Sequence, residues 1–258
     1  MDWSAPELGA VMLCSGRAVP KPQRDAGSST LASTDARKGL SSSRMCNLYS
    51  MTANREAIIR LFKVSDNRAA AIEPKPAIFP SNDAPVVRCA ADGARELVEL
   101  SWGFVLTMKD RAPKRVTNVR DDKLESRFWA TSFRERRCLV PVTSFAEPKG
   151  RSPAIWHWFA LGEMRRPFAF AGLWRSYKGP VRRDGDPVEL DVFAFLTTKP
   201  NNLVATVHPS RMPVMLVGAD AQAAWLEGSS EQARNLIASY PAEQMALVQA
   251  GIDRSDLG

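Results

Sequence analysis

Hydrophobic positions fall into three regimes along the chain: a silent stretch, one helix-like period, then a succession of short alternating runs. Residues 1–44 show no periodicity, and "SGRAVPKPQRDAGSSTLASTDARKGLSSSR" is rich in Ser, Ala, Gly and charge. Such a segment buries too little apolar surface to offset the entropy of ordering it, so disorder is expected there. Its "LGAVMLC" run is short and follows acidic residues, which does not suit a secretory signal. Order is expected from Cys46. In "TANREAIIRLF", Ala57, Ile58, Leu61 and Phe62 share one helical face, with Thr52 or Asn54 as N-cap. Pro-rich turns follow ("IEPKPAIFPSNDAP"), and then strand-like runs. In "ELVELSW", Val98, Leu100 and Trp102 alternate with Leu97, Glu99 and Ser101, and "CLVPV", "IWHWFAL", "FAFAGLW", "LDVFAFLTT" and "MPVMLV" are of the same kind. Two late helices are expected. "ADAQAAWLE" ends at Gly228 as a C′ residue, and "SSEQARNLIASY" offers a capping box from Ser229 to Gln232. The pattern predicts an α+β fold over residues 45–258, a mostly antiparallel barrel-like sheet with a few flanking helices.

Composition narrows the classes. The 258 residues are 45% hydrophobic and 24% charged, the balance of a soluble globular protein large enough for a core. No apolar run approaches the roughly 20 residues that span a bilayer, so no membrane partner is expected. A net charge of +7 fits a polyanion partner, and equally an ordinary mildly basic protein. Cys14, Cys46, Cys89 and Cys138 form no C-x-x-C pair, and only His157 and His208 add imidazoles. Neither a metal site nor a disulfide framework is expected, no cofactor is implied, and a reducing cytoplasm is the expected location. Cys89 and Cys138 lie in strand-like runs and read as small buried hydrophobes.

Cys46 directly follows Met45. If Met45 is the initiator and is removed, Cys46 carries a free α-amine beside its thiol. Such a 1,2-aminothiol condenses with an aldehyde through the amine, and the thiol then closes a thiazolidine ring. An N-terminal amine titrates near ~7.7–8.0, which leaves a useful neutral fraction at pH 7. A buried thiol opening a strand is the plainer alternative. Asn118 and Arg120 in "VTNVRDD", Glu147 in "VPVTSFAEP", and His208 and Arg211 in "TVHPSRMPVML" are each weak signals when taken singly.

In this order, "MCNLYS", "WGF" at Trp102–Phe104, "TNVR", "CLVPVTSFAE" and "HPSRMPVML" resemble the SOS-response-associated peptidase family. That family is also known for proteins that crosslink to abasic sites in single-stranded DNA. The resemblance covers about residues 45–250. It implies that Cys46, made N-terminal by loss of Met45, attacks the ring-opened deoxyribose aldehyde and forms a covalent link, with associated autopeptidase and lyase activity. It implies that Asn118 positions the Cys46 amine and that Glu147 shuttles protons. His208 would be a second proton donor, on the sugar hydroxyl formed by ring opening. Arg120 and Arg211 would hold flanking phosphates, and Trp102 would offer a stacking face for a base, with a core tryptophan as the alternative. The chain departs from the commonest pattern at Leu48, where many members carry arginine, and at Pro148, where many carry tryptophan. Single-stranded DNA is the expected partner and a monomer the expected state.

Two other readings stay open: a cysteine autopeptidase with His208 or Glu147 as base, and a non-catalytic single-strand binding module. For residues 1–44, the favoured expectation is that Met45 is the working start. A self-cleaved pro-peptide or a persistent extension are the alternatives.

Overall fold

A computed structural model describes residues 46–68 and 72–258, and the disorder expected for 1–44 lies outside them. The described residues form one compact unit, and its core is assembled from residues between Cys46 and Met245. In chain order the strands are β1 (Tyr49–Met51), β2 (Asp66–Asn67), β3 (Lys75–Ile78), β4 (Asp83–Cys89), β5 (Arg95–Trp102), β6 (Phe104–Met108), β7 (Arg111–Val116) and β8 (Asn118–Arg120). The second half adds β9 (Arg137–Val142), β10 (Ser144–Lys149), β11 (Ile155–Ala160), β12 (Phe168–Gly179), β13 (Val188–Thr198), β14 (Met212–Pro213), β15 (Met215–Leu216) and β16 (Ala246–Gly251). Helices α1 (Arg55–Phe62), α2 (Ala130–Glu135), α3 (Asn202–Ala205), α4 (Ala219–Leu226) and α5 (Ser230–Asn235) flank them. The expected α+β, barrel-like architecture is the one observed.

Five strands close on themselves. β13, β12, β9, β4 and β5 pair in that order, antiparallel throughout. β13 then returns to β5 in parallel, through Val192–Ser101 and Phe193–Trp102. Closure removes the free edges that an open sheet would expose. It also buries β5 on both faces, so only Glu99 between Glu96 and Trp102 is exposed. The alternation read from "ELVELSW" is therefore not an inside-outside code.

A second sheet, ordered β16-β11-β10-β1-β3, packs on this barrel. The contact is aromatic. Tyr49 of β1 lies edge-on to Trp102, Phe170 and Phe195, with ring centroids 5.1, 6.0 and 6.1 Å away. All four rings are fully buried, each contributing about 1.5–3 kcal/mol of burial. β1 begins three residues after Cys46, so this packing fixes where Cys46 stands.

The helix caps follow their sequence signals. Asn54 caps α1 by accepting from the Ala57 N–H at 2.9 Å. Ser229 and Gln232 form the expected capping box on α5. Helix α1 buries Ile58 and Phe62, while Leu61 stays 39% exposed, so its apolar stripe is narrower than its sequence suggests. Gly228 follows α4 as expected, but its role is close approach: a Cβ there would stand 2.4 Å from the Ala224 carbonyl oxygen. Cys138 is buried and Cys89 half-buried, both as free thiols. Among the described residues no helix is long and apolar enough to cross a membrane.

The C-terminal tail is strapped to the small sheet by one buried carboxylate. Asp256 accepts from Ser144 Oγ at 2.5 Å and from Arg165 Nε at 3.0 Å. Its own N–H donates to the Pro76 carbonyl at 2.9 Å. Ser144 Oγ in turn meets Ser50 Oγ of β1 at 3.1 Å. Asp256→Ala strands the Arg165 charge and opens this chain of bonds. It is expected to cost about 3 kcal/mol, read as a lower urea midpoint at unchanged slope. A midpoint equal to wild type would show that the strap does not hold the sheet.

Candidate active site

The site is built around the start of β1. Cys46 is buried, and its Sγ lies 3.7 Å from the Leu48 carbonyl oxygen and 4.0 Å from that of Ala146. Burial first, and the Glu147 carboxyl second, push its thiol well above the ordinary range. A thiol held this way stays protonated rather than standing as a preformed thiolate.

Asn118 opens β8, and Phe195 of β13 is its parallel neighbour. Its Nδ2 donates to the Cys46 carbonyl at 2.9 Å and to Thr117 Oγ1 at 3.0 Å. Its Oδ1 is buried and has no partner among the described residues. Asn118 and Cys46 are therefore in direct contact, through the carbonyl end of the cysteine.

Glu147 sits on β10 and is fully buried. Neither carboxyl oxygen has a hydrogen-bond partner of good geometry among the described residues. The Cys46 thiol lies close enough to act on its titration as a weak donor outside that geometry. Desolvation dominates and raises the carboxyl well above 4.5, and the Cys46 thiol partly opposes that. A carboxyl raised by burial keeps its proton further up the pH scale, which suits it to give and take one.

His208 follows α3, with its N–H bonded to the Val204 carbonyl at 2.8 Å. Its Nδ1 stands 2.8 Å from the Arg211 carbonyl and 3.3 Å from the Arg211 N–H. The shorter contact assigns the proton to Nδ1. Lys149, two residues beyond Glu147, donates to the Thr206 carbonyl at 3.0 Å, which ties β10 to the loop that carries His208.

The two arginines differ. Arg120 is half-exposed and makes a bidentate pair with Asp122, both bonds 2.8 Å. Arg211 is mostly buried. It meets Asp121 through Nη2, donates to Thr197 Oγ1 at 3.1 Å and to the Thr197 carbonyl at 2.9 Å. Exposed pairs are worth about 0–1 kcal/mol and are easily exchanged for a phosphate. A mostly buried guanidinium with three internal acceptors is not.

Trp102 does not stack on anything outside the protein. It is fully buried, lies against Phe193 and Phe195, and donates from Nε1 to the Thr117 carbonyl at 3.0 Å. The base-stacking role is thus corrected: the indole supports the site from beneath. Gly103 makes the turn after it, at φ +113°, where a Cβ would stand 3.1 Å from Arg115 Cβ.

Three residues of the site have no role that the sequence assigns, although Asn47 and Thr117 fall inside "MCNLYS" and "TNVR". Thr117 and Asn47 bond each other at 2.8 Å. His157 pairs with Glu147 in the β10–β11 register, which places the two on one face. Leu48 is buried against Ala146 and Trp158, so no cation stands at its position. Among the described residues no cluster of side chains is suited to a metal ion.

Comparison with known proteins agrees with the fold. A family model described as SOS response associated peptidase (SRAP) matches residues 45–252. A solved protein from Bordetella bronchiseptica superposes with a TM-score of 0.63 at 22% identity, over 80% of this chain and 98% of its own. One from Bacteroides thetaiotaomicron gives 0.58 at 19%, over 78% and 90%. A phage-related protein from Bordetella bronchiseptica gives 0.58 at 20%, over 78% and 92%. These likenesses concern the fold. No curated protein matches the sequence. With the family match spanning nearly all the described residues, the chain belongs to the SOS response associated peptidase family.

Proposed function

We propose that this domain, once its chain begins at Cys46, captures abasic sites in single-stranded DNA as a covalent thiazolidine. The observation that carries the reading is a pair of buried acceptors at one cysteine, the Glu147 carboxyl and Asn118 Oδ1, with no hydrogen-bond partner of good geometry among the described residues. Unsatisfied buried acceptors cost about 1–3 kcal/mol each and call for a donor. A free α-amine on Cys46 supplies donors that a peptide nitrogen, with its single fixed N–H, does not.

The steps follow from the groups present. The neutral α-amine of Cys46 adds to C1′ of the open-chain sugar, and loss of water gives an imine. The thiol then adds to the same carbon, forming the Sγ–C1′ bond. Its proton passes by way of Glu147 to the ring nitrogen, so one water leaves overall. When the sugar ring opens, His208 Nε2 takes the proton leaving the C1′ hydroxyl and donates it to the released ring oxygen, while Nδ1–H stays on the Arg211 carbonyl. Arg120 exchanges Asp122 for a backbone phosphate. If residues 1–45 are present at synthesis, autoprocessing at the Met45–Cys46 bond is the step that frees the amine.

The protease reading alone is less well supported. A cysteine peptidase relies on an electropositive setting that lowers the thiol, whereas burial and Glu147 raise Cys46. A pure binding module leaves the two buried acceptors without a use.

The direct test is a denaturing gel of chain beginning at Cys46 with single-stranded DNA bearing one abasic site. A band that survives heat is expected, and Cys46→Ser should lose it while still binding DNA. A heat-stable band from Cys46→Ser would overturn the proposal. Glu147→Gln is expected to slow single-turnover capture by about 10²-fold with little change in DNA affinity.

The same variant reports on stability. A carboxyl raised by burial stabilises the fold below its ordinary value of 4.5, and that contribution is lost as pH rises through the folded value. The wild-type melting temperature should therefore fall, relative to Glu147→Gln, as pH rises above 4.5. Parallel curves would show that Glu147 is not desolvated. Among the arginines, Arg120→Gln should weaken DNA binding and reduce the salt slope by about 1. Arg211→Gln should reduce it far less, and equal reductions would contradict the internal assignment of Arg211.

A further inference from the structure

Thr117 stands between Asn47 and Asn118, and its hydroxyl can serve both. Thr117 Oγ1 lies 2.8 Å from Asn47 Oδ1 and 3.0 Å from Asn118 Nδ2. An amide oxygen only accepts, so the hydroxyl proton goes to Asn47. The hydroxyl oxygen then accepts from Asn118 Nδ2. The second Nδ2 hydrogen goes to the Cys46 carbonyl at 2.9 Å. Both donors of the Asn118 amide are thus committed, and the flipped amide would set its oxygen against the Cys46 carbonyl oxygen. The relay leaves Oδ1 as a buried acceptor with no partner among the described residues. Thr117 is itself anchored from below, because its carbonyl accepts from Trp102 Nε1 at 3.0 Å and from the Phe195 N–H at 3.4 Å.

We infer that Asn47 and Thr117 are positioning residues that lock the Asn118 amide so that its Oδ1 accepts a hydrogen bond from the α-amine of Cys46. This rests on the function proposed above. The amide then reads both ends of one residue, the carbonyl through Nδ2 and the nitrogen through Oδ1. In a peptide-bonded Cys46 the single N–H is held in the peptide plane, and Oδ1 stays unpaired. A terminal amine has more than one N–H and turns freely about its bond to Cα, so it can meet Oδ1. With one N–H held, the lone pair of the neutral amine keeps a fixed direction toward the incoming aldehyde. Asn47 and Thr117 touch neither the sugar nor the reacting atoms. They act through Asn118.

An acceptor on the amine favours its charged form, so the relay should raise the α-amine above the value it has without it. Thr117→Val removes the hydroxyl at nearly constant shape, and Thr117→Ser restores it. In chain beginning at Cys46, produced from a Met45 start and checked by mass, Thr117→Val is expected to slow single-turnover capture by about 10-fold to 10²-fold. Affinity for single-stranded DNA carrying a tetrahydrofuran site, which has no aldehyde, should stay within about 2-fold of wild type, because phosphate contacts come from other residues. Thr117→Ser should recover most of the rate. A purely structural role for Thr117 would lower affinity and melting temperature together, which overturns the relay. So does a Thr117→Val rate equal to wild type.

A second readout needs no DNA. Nitrogen NMR of a Cys46-labelled sample follows titration of the α-amine directly, with a lower midpoint expected in Thr117→Val than in wild type and Thr117→Ser. Equal midpoints in all three overturn the relay. Absence of capture by wild type, alongside a shifted amine midpoint, would leave the relay standing and sink the function proposed for it.

Discussion

The site depends on polar groups held away from water without partners. Glu147 is fully buried, its two oxygens lack hydrogen bonds among the described residues, and it neighbours a thiol that is buried as well. Such an arrangement costs free energy, and the rest of the fold has to outweigh it. Both groups respond in the one direction open to them: carboxyl and thiol each keep their protons further up the pH scale. The chemistry proposed for this site, a proton passed from sulfur to nitrogen through a carboxyl, would put that desolvation to use.

The scaffold that outweighs the cost is a closed barrel joined to a smaller sheet through aromatic rings. β1 belongs to the small sheet, yet Tyr49 packs into Trp102, Phe170 and Phe195 of the barrel. Asn118 comes from β8, which lies along β13, so the two halves of the Cys46–Asn118 contact are carried by different sheets. The tail adds a restraint from the other end of β1 through Asp256, Ser144 and Ser50. Three attachments thus converge on a strand of three residues and the short segment from Cys46 that leads into it.

Much of this is legible in the chain because strand periodicity is local. The runs from "ELVELSW" to "MPVMLV" mark their strands, and Asn54, Ser229 and Gln232 mark helix starts through contacts three residues long. Cys46, Asn118 and Glu147 stand out by motif, and the fold brings them together. The sidedness of Trp102 is not legible, because its burial depends on β13 returning to β5, a pairing across about ninety positions of chain. Asn47 and Thr117 lie inside "MCNLYS" and "TNVR", but nothing in those motifs says that the two touch: their roles emerge only when 70 positions of chain close to 2.8 Å. The strap at Asp256 is hidden for the same reason, since "GIDRSDLG" has no period.

The central claim is that Cys46 reacts through both its nitrogen and its sulfur. Intact mass of the adduct with abasic single-stranded DNA, followed by the mass of its N-terminal peptide, tests this most directly. The account predicts protein beginning at Cys46 plus DNA less one water, with the added mass confined to Cys46. An adduct that retains Met45 or any residue before it, or one attached at a lysine, would contradict the account.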